Sequence, residues 1–141
     1  MKTNEKKVYE MLIPSEPEQI QKVERKAEEL ARKAGFSEDE MDNLAIAVTE
    51  VVANAIFHGN KGDRSKKVYI KFILQGKEIQ IHVRDEGKGF APDELANPLA
   101  PENILKESGR GIFIVKTLMD NVRYQFTPEG TEVILTIKGS D

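Results

Sequence analysis

Three groups of residues have the types and spacing to do chemistry. Glu50 and Asn54 stand four apart in an otherwise apolar segment, Asp85-Glu86-Gly87-Lys88-Gly89-Phe90 forms a second group, and Gly109-Arg110-Gly111 a third. On a helix, residues four apart share a side. There Asn54 would offer a neutral oxygen to Mg²⁺, a hard cation that prefers oxygen and keeps several waters. Glu50, one turn away, could orient or deprotonate an attacking hydroxyl. A buried aspartate at 85 can accept a hydrogen bond from an exocyclic amine, which suits adenine, and Gly87 and Gly89 let the backbone come close to a planar base. Backbone N–H groups at Gly109 to Gly111, helped by the dipole of a following helix, suit phosphates. Each group alone has a plainer reading: a satisfied polar pair, a turn, and a hinge entering a helix. Together they read as a nucleotide site. The Walker A pattern is absent, and Pro92 stands where a dinucleotide fingerprint needs its third glycine, so those two routes to a nucleotide are closed.

The elements that must position these groups can be read from periodicity. Tyr9, Met11 and Ile13 alternate with Glu10 and Leu12, which predicts a short strand ending at Pro14. Ser15 with Glu18 has the capping-box pattern, and Ile20, Val23, Ala27, Leu30, Ala31 and Ala34 then recur at helical spacing up to Gly35. Ser37 with Glu40 opens a second helix. From Leu44 to Phe57 its only polar residues are Thr49, Glu50 and Asn54, the pattern of a buried helix, with Leu44, Val48, Val51 and Ala55 at the centre of one face and Gly59 and Gly62 as breakers.

Val68 to Leu74 and Ile79 to Val83 alternate as strands around a Gln75-Gly76-Lys77 turn, and Asp85 keeps the parity of the apolar set. An aspartate on the buried face needs a partner, because an unpaired buried charge is very costly. Gly87 to Ser108 has no periodicity and holds Pro92, Pro98 and Pro101; so long a loop in a compact domain is usually functional. A short helix with Ile112, Val115 and Leu118 follows, then two strands around a turn at Pro128 to Gly130. The expected fold is α+β, an antiparallel or mixed sheet with helices on one face.

Composition narrows the classes. The chain has 141 residues, 39% hydrophobic and 32% charged, with a formal net charge of -3, which fits one folded domain and gives no electrostatic ground for nucleic-acid binding. Without cysteine there is no disulfide, zinc-thiolate site or thiol nucleophile. The first ten residues hold no apolar run of a secretory signal, and the longest apolar stretch, Leu44 to Val48, is far short of a membrane span. The expectation is a soluble, cytoplasmic domain. His58 reads as a local cap, His82 as an exposed residue of the polar strand face, and Lys61, Arg64, Lys66 and Lys67 as a solvated loop.

Glu50 to Asn60 (E-V-V-A-N-A-I-F-H-G-N), Asp85 to Phe90 (D-E-G-K-G-F) and Gly109 to Ile112 (G-R-G-I) resemble the N, G1 and G2 boxes of the GHKL ATPase superfamily, and Gly130-Thr131 resembles its late threonine. The resemblance spans nearly the whole chain. The run G-R-G-I-F-I-V-K-T-L-M-D is similar to that of anti-sigma-factor serine/threonine kinases of partner-switching systems, the RsbW type. This implies a two-layer α/β sandwich of Bergerat type, one domain over 1–141, binding ATP and Mg²⁺ beneath a lid at about 87–108. It further implies that Asp85 holds the adenine amine assisted by Thr131, that Gly87 and Gly89 shape the base pocket, and that Asn54 ligates Mg²⁺. Glu50 would be the general base, and Gly109, Arg110 and Gly111 would embrace the phosphates. Implied partners are a sigma factor and a small antagonist protein, with a homodimer and no membrane. Two other functions stay open at this point: a nucleotide-dependent binding module without phosphotransfer, and a detached histidine-kinase catalytic domain.

Overall fold

Alternation of apolar and polar residues becomes pairing in the middle of the chain. In the computed structural model, which describes residues 5–87, 111–128 and 130–140, the side chains of 111–114 and 127 excepted, five strands form one sheet. They are β1 (Lys6–Pro14), β2 (Lys67–Gln75), β3 (Glu78–Arg84), β4 (Asn121–Thr127) and β5 (Gly130–Lys138), in the order β1-β2-β3-β5-β4. All four pairings are antiparallel, which settles the choice between an antiparallel and a mixed sheet. Helices α1 (Ile20–Lys33), α2 (Glu38–Asn54) and α3 (Gly111–Leu118) complete the order expected from the sequence.

Register places the apolar residues of neighbouring strands in rows. Phe72 lies opposite Ile81, which lies opposite Leu135; Ile70 lies opposite Val83, which lies opposite Val133. Phe72, Ile81 and Leu135 are buried with Leu30 of α1 and Leu44, Val48 and Val51 of α2, so one sheet face and the helices share a single core. Slipping any central strand by one residue would turn this whole set outward. The opposite face is mixed, with Val8 and Leu12 exposed among polar residues: the Tyr69 hydroxyl donates to Glu10 Oε2 at 3.0 Å, and the Arg84 guanidinium lies 4.7 Å from the Tyr69 ring centre. His82 has the expected parity on this face but is not exposed. It is half-buried between Glu132 Oε2 at 3.3 Å and Gln80 Oε1 at 3.0 Å, and burial pushes its pKa down.

The helix ends show which local signals prevail. At the end of α1, Gly35 takes φ +80°, Phe36 N–H reaches Ala31 C=O at 3.0 Å, and Gly35 N–H reaches Arg32 C=O at 3.1 Å, a complete Schellman motif. The Ser37 box forms as expected: Glu40 N–H donates to Ser37 Oγ at 3.2 Å and Ser37 N–H to Glu40 Oε1 at 2.7 Å. The Ser15 box does not. Pro17–Gln19 forms a 3₁₀ turn instead, and the buried Ser15 hydroxyl donates to Lys66 C=O at 2.7 Å and accepts from Asn60 Nδ2 at 2.8 Å.

After Asn54, α2 widens into a π turn over Ala55–Gly59, with Ala55 and Ile56 buried. The chain then turns sharply, Gly62 (φ +69°) donating its N–H to Ile56 C=O at 2.7 Å. His58 is exposed, and Lys61, Arg64 and Lys67 are solvated as expected, with Lys66 half-buried. Among the described residues no helix is long and apolar enough to cross a membrane.

Candidate nucleotide site

Asp85 follows directly on β3, and its parity sends the carboxylate to the helix-covered face. It is 8% exposed. Its backbone N–H extends the β3–β5 ladder by donating to Thr131 C=O at 3.0 Å. The Thr131 and Gly87 N–H groups then donate to Asp85 Oδ1 at 3.1 and 2.9 Å. Both side-chain bonds end on the same oxygen; among the described residues, Oδ2 receives none. Burial pushes the carboxyl pKa up, against the backbone bonds from Gly87 and Thr131, which pull it down. The result is a desolvated carboxylate with one oxygen fixed by two backbone donors.

Three glycines close around this carboxylate. A Cβ on Gly59 would collide with Asp85 Oδ2 and Cγ, one on Gly87 with the carbonyl oxygen of Gly59, and one on Gly130 with the carbonyl oxygen of Asp85. The close approach that requires glycine at 87 is therefore made to the backbone of Gly59. Gly59 and Gly130 look from the sequence like a helix breaker and a turn residue, and their packing against Asp85 gives no sequence signal.

Glu50 and Asn54 both lie half-buried on α2, flanking the face whose residues Leu44, Val48, Val51 and Ala55 are in the core. Asn54 Nδ2 is buried and, among the described residues, has no hydrogen-bond partner. An N–H donor left without an acceptor in a core costs about 1–3 kcal/mol, so Nδ2 calls for an acceptor beyond the described residues. The π turn carries the backbone from Asn54 to Gly59, against Asp85, so the end of α2 and the end of β3 meet. Thr131, half-buried on β5, joins them through its backbone.

Gly111 is the first residue of α3, which packs beside α2. Gly89, Gly109, Arg110 and, Gly87 apart, the expected lid lie outside the described residues. Among the described residues there is no cluster of three or more His, Asp or Glu side chains suited to a metal. The donor set fits a magnesium ion brought by a nucleotide, which needs only one or two protein oxygens beside phosphates and water.

Comparison with known proteins agrees with this architecture. Residues 13–137 match the family model described as histidine kinase-like ATPase domain. The serine-protein kinase RsbW of Bacillus subtilis (strain 168) is 33% identical over 133 residues, covering 90% of this chain and 82% of that protein. An anti-sigma F factor of Oceanobacillus iheyensis is 42% identical over 103 residues, 70% of this chain and 69% of that one. Among solved structures, the RsbU and RsbW domains of a Mycobacterium tuberculosis protein superpose with a TM-score of 0.68 at 16% identity over 94% of this chain. The histidine kinase domain of a blue-light activated kinase from Erythrobacter litoralis gives 0.54 at 18% identity over 89%. This chain spans 32% and 61% of those two chains. With the fold, the family model and the RsbW relatives in agreement, the chain belongs to the histidine kinase-like ATPase family.

Proposed function

We propose that this chain is an ATP-dependent serine/threonine protein kinase that also acts as an anti-sigma factor, phosphorylating a small antagonist protein and sequestering a sigma factor. The names of its relatives support the kinase and anti-sigma roles. The observation that carries the reading is the Asp85 carboxylate, one oxygen fixed by two backbone donors and the second seated against Gly59 with no donor among the described residues. An adenine amine supplies that donor.

Asp85 binds the amine through Oδ2, with Thr131 beside it. Asn54 would hold Mg²⁺ through its amide oxygen, and the ion would neutralise phosphate charge. Glu50, one turn earlier on the same helix, receives the proton of the substrate hydroxyl as that oxygen bonds to the γ-phosphorus and the bond to the ADP oxygen breaks. Gly109, Arg110 and Gly111 hold the phosphates from the start of α3, under a lid at about 87–108. The reading includes a single domain over 1–141, a homodimer, and work in the cytoplasm.

The test is transfer from γ-labelled ATP to a cognate antagonist, with sigma-factor binding measured in parallel. Acid-stable phosphoserine or phosphothreonine on the antagonist is expected. Acid-labile phosphohistidine would point instead to a detached histidine-kinase domain, and nucleotide-dependent binding without transfer would reduce the protein to a sequestering module.

A further inference from the structure

Asn60 stands where the π turn ends, is 0% exposed, and ties three segments together. Its Nδ2 donates to Ser15 Oγ at 2.8 Å and to Lys67 C=O at 3.0 Å, while its Oδ1 accepts from Glu86 N–H at 2.8 Å. The amide cannot be turned over, since that would set N–H against N–H at Glu86. Glu86 is gripped a second time, its Oε2 accepting from Lys67 N–H at 2.7 Å. Glu86 is the middle residue of the turn whose next N–H, from Gly87, fixes Asp85 Oδ1 at 2.9 Å. Gly59, the residue before Asn60, is the one seated against Asp85 Oδ2. One side chain thus sets the position of the turn that orients the carboxylate relative to the backbone that walls its other oxygen.

We infer that Asn60 is the positioning residue for nucleotide recognition: it holds the 85–87 turn so that Asp85 presents Oδ2 to the base. Ser15 is its outer anchor, passing the hydrogen bond on to Lys66 C=O at 2.7 Å. This rests on the reading of Asp85 as acceptor of the adenine amine.

A merely structural asparagine would, when removed, weaken every nucleotide alike. A positioning one changes how the base is read. The test compares affinities for ATP and for purine riboside triphosphate, which lacks the 6-amino group, in wild type, Asn60→Ala and Ser15→Ala, with thermal unfolding to establish that each is folded. Wild type is expected to favour ATP by about 10- to 100-fold, the range of a hydrogen bond to a charged group. Asn60→Ala should shrink that ratio to a few-fold, and Ser15→Ala should lower it by roughly 2- to 5-fold, consistent with loss of one neutral bond. Should Asn60→Ala fail to fold, Ser15→Ala decides. An unchanged ratio in a folded variant, with wild type discriminating, overturns the inference alone. Equal binding of both triphosphates by wild type overturns the reading of Asp85 and the inference with it.

Discussion

The two ends of α2 are finished in opposite ways. At its start, Ser37 and Glu40 satisfy each other's backbone, and the spare Glu40 oxygen accepts from Ser140 N–H at 2.8 Å. This end is exposed and needs nothing further. At its finish, the helix loosens into a π turn that stops against the Asp85 carboxylate, and among the described residues the buried Asn54 Nδ2 has no partner and Asp85 Oδ2 no donor. Unsatisfied polar groups persist in a core only when something compensates for them. One end of the helix is closed by its own residues, and the other is where the proposed nucleotide site lies.

Breaking the finishing end should give the largest effects. Glu50→Gln is expected to lower phosphotransfer to the antagonist by about 10²- to 10⁴-fold, or roughly 3–5 kcal/mol of barrier, with nucleotide affinity kept. Undiminished transfer would remove Glu50 as the base. Next comes Asp85→Asn. Wild type at a hundred times the Kd of Mg-ATP should gain about 2.7 kcal/mol, a rise in Tm of a few degrees, and the variant should show none of it. A ligand shift surviving in Asp85→Asn would place the base elsewhere.

At the starting end the response should be smaller and blind to nucleotide. Ser37→Ala removes one cap, about 1 kcal/mol of stability, and lowers Tm equally with and without Mg-ATP. If it altered the nucleotide shift instead, the two ends would be coupled and the contrast between them would fail.

This contrast also explains what the sequence could tell. Ser15-x-x-Glu18 and Ser37-x-x-Glu40 are the same pattern, yet only the second caps a helix. Ser37 is exposed and its fate is local. The Ser15 hydroxyl is buried against the carbonyl of Lys66, 51 residues away, and that contact prevails over capping. The order of elements along the chain, the core faces and the parity of Asp85 were legible because they follow from period and burial; the order of strands in the sheet was not. The π turn, the orphaned amide of Asn54, and the cradle made by Gly59 and Gly130 were not, because they exist only once β3, β5 and the end of α2 meet. His82 shows the same limit: its parity could be read, but its half-buried place between Glu132 and Gln80 depends on the neighbouring strand.

The smallest effect is also the most direct comparison, since the carboxyl group on one end and the one packed against the other are displaced in opposite directions. Glu40 is held down to about 2 from 4.5, first by the Ser37 backbone bond and then by Ser140. Its contribution to stability is present above its unfolded pKa and is lost as pH falls from about 4.5 toward 2. Asp85 is raised above its ordinary 3.8 by burial. Its contribution is therefore fully present below that value and is lost as pH rises through its folded pKa. Substitution by the amide should separate them in thermal unfolding without nucleotide. Glu40→Gln, which keeps a residue able to close the box, should be less stable than wild type at neutral pH and converge with it toward pH 2. Asp85→Asn should show its gain over wild type at neutral pH, where the buried charge is costliest, and lose that gain in acid. Parallel unfolding curves for variant and wild type across this range would mean that the two carboxyl groups are not opposed. The difference between the ends of α2 would then lie in packing and not in charge.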